Sequence, residues 1–512
     1  MKFHAKRCGA IFTLACLLLA GCGGGSGGDS GGGNNEPPAT GGITRTGITI
    51  AVGPITGFGS VIVNGISYET NASTTFTKDG QDAIQANFSL GQVVLIQGTI
   101  DDDNTNALAT SVEFDDNVEG PVSSIDNATH TIVVLGQTVQ VILTTSIDDS
   151  CPATWDALDG FLGVAAVEVS GSVPDDGTIE ASRIECKNVN VVGELEVTGV
   201  IAVGSLDTGV MTFRINALTV DYSGVSILQN FPDGVISEGD LVEAKDNDGG
   251  GLGGSGELVA TSLEFKGDRF AKNEGDHMEV EGFITRIGTV PETDFDVGDI
   301  TVTTIPGTTV WEGGDASNLN LNLKVEVEGE FNDADVLVAT KVEIKQATAV
   351  RVTGLVDSVD ADTLAILGIT ITTEVGKTRF EDKAGEAPLD MFEIGDLNSA
   401  GGDYVEVRGQ ESPAGEIFAL ILERDDPRSE TRLRGFVTDM VVAAPNLTVL
   451  GVTIQTTAGV TEFIDSRGST EVEFENEDDF WAAVNEGSLI DVKGTETDPQ
   501  ILLAEEIELE ME

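Results

Sequence analysis

Carboxylates are the reactive groups this chain holds in quantity. Its 512 residues carry 87 Asp and Glu against 27 Lys and Arg, a net charge of −60. Clustered oxygen ligands are what calcium takes. The best candidates are Asp101-Asp102-Asp103-Asn104 and Asp246-Asn247-Asp248-Gly249, with Asp101, Asp103, Asp246 and Asp248 as the ligands. Neither run has the full EF-hand spacing, and Gly249 to Gly254 completes no glycine-rich calcium repeat. Both read first as solvated turns, so no cofactor is assigned and calcium is kept as the alternative. The three histidines, His4, His130 and His277, are scattered and read as surface or strand-flank residues. The sequence has no His-Glu-x-x-His pair, phosphate loop or Cys-x-x-Cys-His site. Paired carboxylates of the glycosidase kind arise here from composition alone. Trp155, Trp311, Trp481, Phe161 and Phe480 could stack on sugars, but core packing is the expected role.

Cysteine usage points to export. Lys2, Lys6 and Arg7 precede a short apolar run, Ala10 to Ala20, too short to span a bilayer as a mature helix. Leu19-Ala20-Gly21-Cys22 then resembles a lipobox, the site where bacterial lipoproteins are cleaved before a Cys that becomes lipidated. The resemblance implies a signal peptide over 1–21, lipid on Cys22 and a membrane held without a spanning helix. Gly23 lacks the Asp associated with inner-membrane retention, so the resemblance favours the outer membrane, with the leaflet open. Residues 22–47 are rich in Gly, Ser, Asn and Pro and read as a flexible tether. Cys8 and Cys16 fall within the signal. Cys151 and Cys186 remain, and two thiols in one small exported domain most simply form a disulfide. The rival, a metal pair, is only half a zinc site. The net charge repels a phosphate backbone, so nucleic acid is excluded as a partner.

A phrase recurring six times sets the architecture. It appears as Leu108-Ala109-Thr110-Ser111-Val112-Glu113 and returns around Ala181, Ala260, Ala339, Ala419 and Ala504, a period of 72 to 85 residues. That period suits a small domain. The expected order is repeat 1 over 48–116, repeat 2 over 117–190, repeat 3 over 191–275, repeat 4 over 276–347, repeat 5 over 348–428 and repeat 6 over 429–512, arranged like beads. In repeat 2, strands are expected at Val118–Val122, Thr131–Leu135, Thr138–Val141, Ala166–Gly171 and Thr178–Cys186, with a short helix over Thr154–Leu162. Three strands, a short helix and two strands is the order of an OB-type barrel. The fold class is therefore mainly β: six tandem small OB-like barrels of five strands plus a short helix each, behind a lipidated flexible tether. In the fifth strand, apolar residues at Ala minus two, Ala and Ala plus three break strict alternation. This predicts a β-bulge between Ala109 and Val112 and in each equivalent, with the following Glu turned to solvent.

Gly-x-Val near the start, a Leu-Gly or Asn-Gly hairpin, Gly-x-x-Val-x-Val-x-Gly and Leu-x-Ala-x-x-Ile together resemble the domain of unknown function numbered 5666. The likeness covers nearly all of the chain after residue 48. Repeat 3 departs with Ala244 where others have Gly, and repeat 4 lacks a clean second hairpin. The family is one of bacterial exported proteins and implies no activity. The expected function is thus a non-enzymatic, envelope-anchored interaction or spacer module with an unknown envelope protein or polysaccharide as partner. A calcium- or polysaccharide-binding surface module is the alternative, and an envelope hydrolase the weaker one.

Overall fold

The computed structural model describes residues 47–100, 106–187, 195–226, 228–247, 249, 251–267, 269–290, 293–345, 349–385, 391–398, 402–412, 415–441, 445–467 and 472–510. Cys22, the signal segment and the tether lie outside the described residues, as do Asp101, Asp103 and Asp248. The described residues fall within one compact unit, Thr44–Glu512.

Repeat 1 shows the plan. Its strands are Gly47–Gly57, Val61–Val63, Ile66–Glu69, Val93–Ile100 and Asn106–Phe114. Val61, Val63, Ile66 and Tyr68 alternate inward and are fully buried. Asn64 and Gly65 make the tight hairpin, both at positive φ. Strand one pairs with strands two and four, two with three, three in parallel with five, and five with four, so the ladder closes on itself. Closure leaves no free edge. The same pairings recur in repeats 4, 5 and 6. Repeat 4 does have its hairpin, contrary to expectation: Val297 pairs with Ile300 across Gly298-Asp299, with Gly298 at positive φ. In repeat 2, strand one breaks at Pro121, which has no N–H to give the ladder.

The bulge lies where the apolar spacing placed it. Gly98 faces Ala109 while Gln97 faces Ser111, leaving Thr110 as the extra residue. Ser182, Thr340, Leu420 and Glu505 are its equivalents. Two further features of the sequence serve it. A Cβ on Gly98, Gly171, Gly329, Gly409 or Gly494 would stand 2.0 to 2.5 Å from a carbonyl oxygen of the bulged strand, so only glycine fits. A threonine then accepts a backbone N–H and donates to the carbonyl of the bulge Ala: Thr145 to Ala181 at 2.7 Å, Thr309 to Ala339 at 2.8 Å and Thr378 to Ala419 at 2.7 Å. Thr74 and Thr461 repeat this. In repeat 3 the fifth strand splits into Leu258–Val259 and Ser262–Phe265. The register also corrects the alignment there. Asp246, not Ala244, holds the glycine position, while Ala244 is an inward core residue.

The expected short helix is mostly a single tight turn. Gln85–Asn87, Leu158–Gly163, Pro232–Gly234, Ala316–Asn318 and Ile394–Asp396 are 3₁₀ segments. Repeat 6 alone has an α-helix there among the described residues, Glu477–Ala483, capped by Asn476. In repeat 2 a Cβ at Gly160 would meet the Pro152 carbonyl oxygen at 2.5 Å, so the turn packs closely against its own loop.

The bead arrangement is not what forms. Strand one of repeat 1 runs parallel to His277–Ile287 of repeat 4, Thr49 opposite His277. Val118–Gly120 pairs with Leu195–Val200 of repeat 3, and Val350–Val359 with Thr431–Val441 of repeat 6. Repeats therefore join 1 with 4, 2 with 3 and 5 with 6, and one apolar cluster runs through each of the last two pairs. The recurring Glu of the fifth strand is not free in solvent either. Glu113 meets Arg269, Glu343 meets Lys345, and buried Glu423 meets Arg408. Arg269 comes from repeat 3, Lys377 of repeat 5 also reaches Glu343, and Arg408 donates to the Leu143 carbonyl of repeat 2.

Candidate functional site

Joining repeats by their outer faces buries charge, and one pair of positions governs how that charge is balanced. The residue three before the strand-one glycine sits diagonally across from the third residue of strand four. In repeats 5 and 6 an arginine meets an acid there: Arg351 is 2.7 Å from Glu406, and Arg432 is 3.4 Å from Asp491. In repeats 3 and 4 both positions are glutamates, Glu196 with Glu243 and Glu279 with Glu326. Burial, and then repulsion from Glu326, pushes Glu279 up to about 10, so one proton lies between those two carboxylates.

The repeat 3 pair is more crowded. Lys245 Nζ lies 2.8 Å from Glu196 Oε2 and 3.4 Å from Glu243 Oε2. Into the same junction come Asp79 and Asp116 from repeat 1 and Glu119 and Glu168 from repeat 2. Ligand oxygens of Asp79, Asp116 and Glu196 all lie within 4.8 Å of one another, as do those of Asp116, Glu119 and Glu168. Asp116 belongs to both sets. It ends the link Asp115-Asp116 after the fifth strand of repeat 1 and is 2 % exposed. Its N–H donates to Asp79 Oδ1 at 3.3 Å, but neither of its own carboxylate oxygens has a hydrogen-bond partner among the described residues. Glu196 Oε1 is likewise buried without one.

The energetics follow from this packing. Burial, with Asp79 and Glu168 beside it, holds the Asp116 carboxyl well above the ordinary range. Burial and then Glu168 push Asp79 up to about 6, and burial with Asp116 and Glu243 raises Glu196. Glu168 is different. Burial works to raise it, but Lys187 at 2.5 Å and Lys78 at 3.3 Å overcome that and lower it. Asp115 and Asp116 also line a cleft of about 740 Å3 bounded by repeats 1 to 4.

The residues singled out from sequence are distributed otherwise. Cys151 and Cys186 form a disulfide, Cα atoms 5.0 Å apart. Asp246 is buried and accepts the N–H of Gly251 at 3.1 Å, which ties down its own loop. Phe161, Phe480 and Trp481 are core residues, and Trp311 is partly buried against the core of repeat 4. Trp155 stacks on His130 at 4.0 Å and lies beneath Arg351 and Arg434, so it joins repeat 2 to repeats 5 and 6. His277 is buried rather than superficial, and burial lowers its pKa. The carboxylate junction was missed, although it left a trace in the sequence: an acid inside an otherwise apolar strand, as in Ala166-Val167-Glu168-Val169 and Leu241-Val242-Glu243-Ala244.

The sequence profile of a domain of unknown function (DUF5666) matches five segments, residues 52–113, 119–185, 281–343, 353–423 and 434–508. The chain belongs to the DUF5666 family. Each matched segment begins in the first strand of a repeat and ends in its bulged fifth strand. The unmatched stretch between 185 and 281 is repeat 3, whose fifth strand is split and whose bulge glycine is replaced by Asp246. No curated protein matches the chain. Among the described residues no helix is long and apolar enough to cross a membrane.

Proposed function

We propose that this DUF5666 chain is a non-enzymatic lipoprotein of the bacterial envelope, held through lipidated Cys22, whose six OB-like barrels form one acidic interaction module. The observation that carries this reading is where the scarce cations go. Arg183, Lys245, Lys266, Arg351, Arg379, Arg408, Arg432 and Arg434 are all buried, and each faces an acid or a carbonyl of the molecule itself. With these eight cations turned inward, the net negative charge dominates the exterior, which should keep it hydrated and repel nucleic acid. An outer-membrane address follows from the resemblance of Leu19–Cys22 to a lipobox, with Gly23 behind it. Replacing Cys22 with Ser should move the protein from the membrane to the soluble fraction. In-cell crosslinking of the lipidated protein should then capture one envelope protein or polymer repeatedly; capture of random neighbours alone would contradict an interaction role. A calcium-binding surface module is the second reading, favoured by the unpartnered carboxylate oxygens of Asp116.

A further inference from the structure

We infer that the junction of repeats 1, 2 and 3 is a calcium site in which Asp79, Asp116 and Glu196, with Glu119 and Glu168 alongside, hold one divalent cation that clamps the three repeats together. It does not depend on the envelope address or on the runs at Asp101 and Asp246.

Three independent observations carry it. The first is geometric. Oxygens bound to one ion at about 2.3 to 2.6 Å stand at most about 5 Å apart, and both carboxylate triplets meet that limit through a shared Asp116. All the charged donors are hard oxygens, which suits calcium rather than a soft metal. Magnesium demands shorter distances and a stricter octahedron.

The second is the state of the central ligand. A buried carboxylate with no partner is strongly disfavoured unless it is neutralised. Asp116 has no partner for either oxygen, and Glu196 none for Oε1. Six carboxylates, Asp79, Asp116, Glu119, Glu168, Glu196 and Glu243, face Lys78, Lys187 and Lys245. Lys266 is divided among Asp115, Glu243 and Glu264. The cluster is therefore short of positive charge, and a divalent ion restores most of it.

The third comes from the chain's own repeats. Where repeats 5 and 6 place Arg351 and Arg432, repeat 3 places Glu196. A guanidinium neutralises the strand-four acid in the first two; in repeat 3 two carboxylates share Lys245 instead, so the substitution adds negative charge that this lysine alone does not offset. Repeat 4 has the same substitution, but its two acids need only one proton. The junction around Asp116 has too many for that.

The test is calorimetric titration of the chelator-treated full chain with calcium chloride, and with magnesium chloride for comparison. Asp116→Asn, Glu196→Gln and the double variant Asp101→Asn/Asp103→Asn are titrated alongside. The expected result is one calcium per chain at this site, bound at least tenfold more weakly by each single variant and unchanged in the double one. Calcium should also raise the melting temperature of the wild type by several degrees and of Asp116→Asn by much less. Failure of the wild type to bind calcium overturns the site whatever the variants do. So does binding that both single variants retain. A third overturning result is Asp116→Asn melting, without metal, as high as the calcium-loaded wild type, since a proton would then be the natural occupant.

Discussion

Replacing Gly409 with Ala tests whether the bulge dictates glycine on the facing strand. The new Cβ would lie 2.0 Å from the Phe418 carbonyl oxygen and 3.0 Å from its carbon, both backbone atoms of a paired strand. Relief to the closest normal contact requires the strands to part by about 1 Å, which weakens the ladder where Gln410 faces Phe418 and Arg408 faces Ile421. Overpacking of this kind, with one or two compromised hydrogen bonds, costs about 2 to 3 kcal/mol. Repeats 5 and 6 share one apolar core, so they should melt together. For a cooperative unit of that size the loss lowers the midpoint by about 4 to 12 °C. Gly395→Ala is the control in the same repeat: nothing lies within 4 Å of its Cβ and its φ is not positive, so it should be neutral or slightly stabilising. The assay is differential scanning calorimetry of the full chain, with hydrogen exchange of Tyr404–Glu411 to locate the damage. Equal midpoints for the two variants, within about 1 °C, would mean that the bulge does not require glycine at position 409.

Three further outcomes follow from the same structure. Thr378→Val removes both the bond to the Ala419 carbonyl and the acceptor for Glu374 N–H, which should cost about 1 to 3 kcal/mol in chemical denaturation, while Thr378→Ser should restore most of it. Opening the Cys151–Cys186 bond, which joins residues 35 apart, should cost about 4 kcal/mol in the chain-entropy model, read as a lower urea midpoint under reducing conditions. Glu279, faced by Glu326, Glu328 and Lys341, keeps its proton to about pH 10 when folded and loses it near the ordinary carboxylate pKa when unfolded. The native state binds more protons between those limits, so stability should fall as pH rises, by up to about 1.4 kcal/mol per unit, and Glu279→Gln should flatten urea midpoints measured from pH 5 to 9.

Within one repeat, most of the structure was legible. Alternating Val and Ile place the strands, Asn64-Gly65, Leu367-Gly368 and Leu450-Gly451 make hairpins at positive φ, and the offset after each Ala announces the bulge. The helical turn misled because Trp155, Leu158 and Phe161 have helical spacing, yet only Leu158–Gly163 winds, as a 3₁₀ segment packed on Pro152 through Gly160. The joining of repeats was not legible, for a physical reason. The residues on the joining faces, such as Arg351, Arg432, Glu196 and Glu168, are charged and alternate with apolar ones, which is also the pattern of a strand with one wet face. Only the three-dimensional pairing shows that these charges meet one another. The carboxylate junction was hidden likewise, because Asp79, Asp116, Glu168 and Glu196 come from three repeats, whereas sequence runs favoured adjacent acids.

A double-mutant cycle between Asp156 and Arg432 measures whether buried charge cements distant repeats. These residues lie in repeats 2 and 6, 276 positions apart, with Arg432 donating to Asp156 at 2.6 Å and Arg351 adding a second, bidentate contact. Burial alone would raise the Asp156 carboxyl, but Arg351 and Arg432 hold it at about 2. Measuring the unfolding free energy of Asp156→Ala, Arg432→Ala and the double variant should give a coupling of about 1 to 3 kcal/mol. Additivity within about 0.5 kcal/mol, the result for residues that do not touch, would mean that this buried charge does not hold the repeats together.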